Sequence, residues 1–201
     1  MPNYIRQLTP DNSPIPFAEL QAALKKNKRA LSLTISAGTA DDWTQLLLAH
    51  KDGGDIAMLH RMPVTIGSAG ADQIQKFLDE IKSAQPESAV KWLEKYLGNV
   101  KCIYAFEIRP GANQNNGFGG IHLIRMAIQE RMGGIIQSDN EGFSNEDEYH
   151  ILWQFPKGTT GAWWMALLQN GTWMNFQMQL GNAKQREAFL RGEVPPGAIF
   201  E

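Results

Sequence analysis

The amino-acid sequence predicts an α+β protein, with helices packed on one face of a largely antiparallel sheet. Several short runs alternate apolar with polar residues, as half-buried strands require. Other runs repeat their apolar residues three and four positions apart, the spacing of an amphipathic helix. Between two apolar runs stands Asn170-Gly171, a dipeptide that favours a type I′ hairpin turn because both central residues must take positive φ.

Residues 1–16 are extended and punctuated by proline. Ser13-Pro14-Ile15-Pro16 leads into a helix on which Phe17, Leu20 and Leu24 share a face and Asn27 suits the exit. Ala30-Leu31-Ser32-Leu33-Thr34-Ile35 alternates as a strand. Trp43 to Ala49 and Asp55 to Val64 are further strands, joined as a hairpin through Lys51-Asp52-Gly53-Gly54. Beyond Gly67-Ser68-Ala69-Gly70, the spacing of Ile74, Phe77, Leu78 and Ile81 marks a helix. Pro86 opens another, with Ala89, Leu93, Tyr96 and Leu97 along one stripe and Gly98 at its end.

Val100 to Ile108 reads as a strand. Ala112 to Gly120 reads as a polar, glycine-rich loop ahead of a helix over Ile121 to Met132. A strand begins at Ile135-Ile136-Gln137, Ser138 to Asp147 is an acidic loop, and Tyr149 to Phe155 is a strand. Trp163 to Gln169 and Thr172 to Leu180 form the Asn170-Gly171 hairpin, with Met174, Phe176, Met178 and Leu180 facing inward. A short helix over Ala183 to Leu190 and a proline-rich tail follow. The order of helix, strand, acidic loop and tryptophan-led hairpin occurs twice. A single compact domain over 1–201, built as two similar halves at 1–98 and 99–201, would give that pattern.

Composition excludes several classes of function. With 19 basic against 21 acidic side chains and a net charge of −2, the chain has no broad cationic field for nucleic acid. No run approaches the ~20 apolar residues of a membrane span. Cys102 is the only cysteine, so no intrachain disulfide forms, and the first residues lack the pattern of a secretory signal. Both features point to a cytoplasmic protein.

The familiar catalytic patterns fail at identifiable residues. Gly117-Phe118-Gly119-Gly120 lies between a strand and a helix but lacks the dinucleotide fingerprint and any following Gly-Lys-Ser/Thr. Ser68 has Ile66 where a nucleophile elbow needs glycine, so it reads as a residue leading a helix. Cys102 sits within an apolar strand as a small hydrophobe. His50, His60, His122 and His150 show no metal-ligand spacing. No catalytic residue, metal or cofactor is therefore assigned.

Two features remain. Between Asp139 and Glu148 five carboxylates occur with no lysine or arginine, without the spacing of a calcium loop. Trp163 and Trp164 are adjacent in a strand, so alternation turns one of them away from the core, where an indole serves well as an interface anchor. Asp139, Glu141, Glu146, Asp147, Trp163 and Trp164 are the candidate binding residues. They favour a non-enzymatic protein-binding module, of the kind a bacterial immunity or inhibitor protein represents, meeting a protein partner or a second copy. The alternative is an enzyme or small-ligand protein whose site draws on the acidic loop 139–150, with Glu141, Glu146 and His150, and on the glycine-rich loop 113–120.

Overall fold

A computed structural model describes residues 3–26 and 30–200, so Asn27 lies outside the described residues. The fold is α+β, with antiparallel strands throughout its named pairings. The chain gathers into two compact units, each drawn from separated stretches. The first runs to Ala71 and resumes at Val100–Gly134; the second comprises Asp72–Asn99 and the chain from Ile135 onward.

Five strands of the first unit form a sheet: β1 (Tyr4–Thr9), β2 (Leu31–Gly38), β3 (Trp43–His50), β4 (Asp55–Pro63) and β5 (Cys102–Ile108). Their order is β2-β3-β4-β5-β1, so the strand latest in sequence pairs with both the first and the fourth. Leu33, Leu46, Leu48, Leu59, Tyr104 and Phe106 project from one face. They pack against Leu20 and Leu24 of α1 (Phe17–Lys26) and Ile121, Ile124 and Ile128 of α4 (Gly117–Met132). The expected extended start, residues 1–16, therefore contains a true strand, β1, which the proline-rich reading did not separate from its surroundings. Gln7, Leu8 and Thr9 are all buried there, so the run shows no alternation to read.

The glycine-rich stretch 112–120 also differs from expectation. A 3-10 turn covers Pro110–Asn113, the positive φ angles fall on Asn115 (43°) and Asn116 (60°), and α4 already begins at Gly117. Gly117 and Gly120 serve close packing: a Cβ would stand 2.5 Å from the Gly111 carbonyl oxygen at the first and 2.6 Å from Leu31 Cδ1 at the second. Contact thus overrides the low helix propensity of glycine.

The second unit takes most of α2 (Ala69–Ile81), which begins in the first, and α3 (Glu87–Leu97). It adds the hairpin β6 (Ile135–Ser138) and β7 (Gly142–Ser144), a sheet in the order β10-β9-β8, and α5 (Ala183–Leu190). The sheet strands are β8 (Ala162–Gln169), β9 (Thr172–Gln179) and β10 (Ile199–Phe200). Asn170 and Gly171 have φ of 51° and 81°, the left-handed pair that a type I′ turn needs. Ser68 precedes α2 as a cap: its Oγ accepts the Ala71 N–H at 3.1 Å and donates to the Pro63 carbonyl at 2.9 Å.

Two expectations in this unit are corrected. The acidic stretch 138–147 is not one loop, because β7 lies inside it. Residues 149–155 are not a strand. Only His150 forms bridges there, one to Ser144 and one to Met165, after which Ile151 and Leu152 are both fully buried. Beyond His150 the segment has no strand partner among the described residues, and the Trp153 N–H turns instead to the Gln85 carbonyl at 2.9 Å.

Candidate functional site

Alternation sorts the side chains of β8 and β9 onto two faces. Trp163, Met165 and Leu167 join Phe176, Met178 and Leu180 on one, against Phe155 and Phe189. Met174 shares that face and is half-buried. The Trp163 ring lies 4.9 Å from Phe155 and 5.1 Å from His150. Trp163 is therefore half-buried and packs against the core.

The opposite face carries Trp164, Ala166 and Leu168 opposite Gln177, Asn175 and Trp173. At one end α3 covers it, with Trp92 edge-on to Trp173 at 5.0 Å and stacked on Tyr96 at 5.1 Å. The other end is open. There Trp164 is 40% exposed, and Gln177 is paired across the sheet with Ile199 of β10, which is 62% exposed. Tyr149 meets Trp164 edge-on at 5.7 Å. A strip that is aromatic or apolar except at Gln177 thus runs from Ile199 past Gln177 and Trp164 to Tyr149.

The segment beside Tyr149 is the acidic one, and a single buried side chain shapes it. Asn145 Oδ1 accepts the N–H groups of Asp147 at 3.1 Å and Tyr149 at 2.9 Å. The Asn145 N–H in turn donates to the Tyr149 carbonyl at 2.9 Å. The tight loop leaves Glu146, Asp147 and Glu148 exposed, with Glu148 at φ 70°. Glu146 acts on the neighbouring helix: burial first, then the Glu146 charge, raises the Tyr96 phenol.

The six candidate residues therefore divide. Tyr149, which meets Trp164, closes the loop that carries Glu146 and Asp147. Trp163 faces the core, and Asp139 and Glu141 belong to the β6–β7 turn, where partial burial raises the Glu141 carboxyl although the residue reaches the surface. Sequence reasoning missed Tyr149, Asn145 and Ile199. The Asn145-x-Asp147 spacing is an Asx-turn signal that marks the first two; nothing local marks Ile199 as a strand partner of β9.

His150 meets Glu141 through the Glu141 backbone carbonyl and not its carboxylate. Its Nδ1 lies 3.3 Å from Ser144 Oγ, and burial lowers its pKa to about 4. Ser144 is itself buried, so the pair joins β7 to the chain alongside β8 and presents no accessible hydroxyl. Cys102 is fully buried, and burial pushes its thiol up to about 11. Among the described residues, no group of three His, Cys, Asp or Glu side chains is placed to hold a metal ion, and no helix is long and apolar enough to cross a membrane. Comparison with family models, curated proteins and solved structures finds no match to this chain.

Proposed function

We propose that the chain is a protein-binding module whose contact surface is the open end of the β8–β9 sheet. The observation that carries this is the exposed Trp164, met edge-on by Tyr149, which directly follows three exposed acidic residues in the chain. Exposing an indole costs hydration free energy, and a partner that covers it recovers that cost at the centre of an interface. The rim of Glu146, Asp147 and Glu148 selects a basic partner and speeds its encounter by electrostatic steering. Such a surface suits a non-catalytic inhibitor or immunity-type role, in which occupying a basic target is the whole activity.

Affinity purification from the native host, with mass spectrometry of the eluate, tests the reading. A stoichiometric basic protein is expected with the native chain. It should be lost from Trp164→Ala and from the charge-reversed Glu146→Lys/Asp147→Lys/Glu148→Lys chain, while Trp163→Phe retains it. Unchanged capture by the Trp164 and charge-reversed variants would remove this surface as the contact. Self-association in sedimentation, abolished by Trp164→Ala, would assign it to a second copy instead.

A further inference from the structure

Two Asn-Gly dipeptides occur in the chain, Asn116-Gly117 and Asn170-Gly171. Glycine has no side chain to shield its amide nitrogen or to restrict its rotation, and that nitrogen follows directly on the asparagine that carries the carboxamide. Where the nitrogen can swing onto the asparagine Cγ, a succinimide ring closes. The two copies share this chemistry and differ in their surroundings, so the fold decides which of them reacts.

Asn116-Gly117 is held shut. Asn116 is exposed, but Gly117 is buried as the first residue of α4, and its N–H donates to the Gln114 carbonyl at 2.8 Å. A Cβ built on Gly117 would stand 2.5 Å from the Gly111 carbonyl oxygen and 2.8 Å from Ala112 Cα, so backbone presses on it directly. Turning this peptide toward the carboxamide breaks that hydrogen bond and the packing at the start of a 16-residue helix.

Asn170-Gly171 is open. Both residues are exposed at the tip of the β8–β9 hairpin, and among the described residues nothing stands within 4 Å of a Cβ built on Gly171. The ladder closes with Gln169 opposite Thr172, which leaves the Gly171 N–H outside it. The turn as folded, with φ of 51° at Asn170, has to open before the nitrogen reaches Cγ. That opening releases two exposed residues and no buried side chain, and fraying of this kind is the cheapest excursion a fold makes.

We propose that Asn170 is a modification site, where the folded protein converts spontaneously to aspartate and isoaspartate and the isoaspartate form loosens the hairpin, while Asn116 stays intact. Hydroxide takes the Gly171 amide proton, the nitrogen attacks Asn170 Cγ, and the tetrahedral adduct expels ammonia to leave the succinimide. Water then opens the ring, so one asparagine and one water become one acidic residue and one ammonia. Opening at Cγ gives aspartate, which favours the same type I′ turn. Opening at the backbone carbonyl gives isoaspartate, whose main chain runs through the former side chain and gains a methylene. The two-residue turn then no longer closes Gln169 against Thr172, and the next pair, Leu168 with Trp173, loosens first. Trp173 carries the change to Trp92, 5.0 Å away.

Incubation of the intact chain in mildly alkaline buffer, followed by peptide mapping with tandem mass spectrometry, tests this. Asn170 should gain one mass unit about tenfold faster than Asn116, or faster still, because a hairpin tip opens at lower cost than a packed helix. In urea the two rates should converge, since the same dipeptide then reacts in both places. The isoaspartate form, separated by chromatography, should melt below the native chain and show an altered near-ultraviolet dichroism. Asn170→Asp should match the native chain in both. An Asn170 left unconverted while the urea-unfolded chain reacts, an Asn116 that converts as fast in the folded chain, or a rate difference that persists in urea would each overturn the proposal. So would an isoaspartate form that melts with the native chain and keeps its dichroism.

Discussion

Trp43 is fully buried on β3, where its Nε1 donates to the Ile15 carbonyl at 2.7 Å and its ring lies 6.0 Å from Tyr104. Trp43→Ala should cost about 3–5 kcal/mol in urea denaturation, through the lost volume and the cavity left behind. Trp43→Phe keeps most of the volume but strips the donor from Ile15, and about 1–3 kcal/mol should be lost. His150 makes stability depend on pH. Burial lowers its folded pKa from 6.5 to about 4, so between those values the unfolded chain binds a proton that the folded chain does not. The stabilisation is complete above the unfolded value, is lost as pH falls, and is gone below about pH 4. Up to about 3 kcal/mol is at stake, and His150→Gln should flatten the decline in denaturation midpoints measured from pH 7 to 4.5. At this scale the sequence shows which side chains are apolar and which alternate, and so it separates Trp163 from Trp164. It does not show that Trp164 meets Tyr149, since that contact goes with the bond of the His150 N–H to the Trp164 carbonyl, which no local pattern marks.

Turns and caps were legible wherever their chemistry is local. The Asn170-Gly171 turn and the Ser68 cap each need residue types that act over a few positions. Gly171→Ala, at φ 81°, should therefore cost about 1–2 kcal/mol without moving the strands it joins. Asn182 caps α5 by accepting the Lys184 and Gln185 N–H groups at 3.1 and 3.3 Å, and Asn182→Ala should cost about 1 kcal/mol. Calorimetry of the two variants checks both values. Elements set by contacts distant in sequence were not legible. Gly117 and Gly120 read as a loop because glycine disfavours helices, yet Gly111 and Leu31 press against that helix too closely for a side chain. β7 is three residues long, and it stays hidden within an acidic run that composition alone describes as solvated.

In the whole molecule, neither compact unit is a continuous stretch. β5 sits between β4 and β1, so a fragment ending at residue 98 lacks the strand that joins them. The fragments 1–98 and 99–201, produced separately, are expected to show no cooperative unfolding transition by circular dichroism, and a transition in 1–98 alone would contradict the central place of β5. Antiparallel architecture was legible because hairpins declare themselves locally. Strand order was not, because β1 has no alternating pattern and its partner lies almost a hundred residues away.

That central place also bears on how the chain is made. The ribosome completes β4 at Pro63 and β5 only at Ile108. At roughly 5–20 residues per second, the 45 residues between occupy about 2–9 seconds of synthesis. For that interval β4 has one side with no partner and β1 has no partner strand at all, while α2 and α3 emerge and can already coil. A nascent chain paused between these two points would expose adhesive strand edges to its neighbours on the same messenger. Rare codons or a stall there should lower the yield of folded protein more than the same delay placed after Gly134.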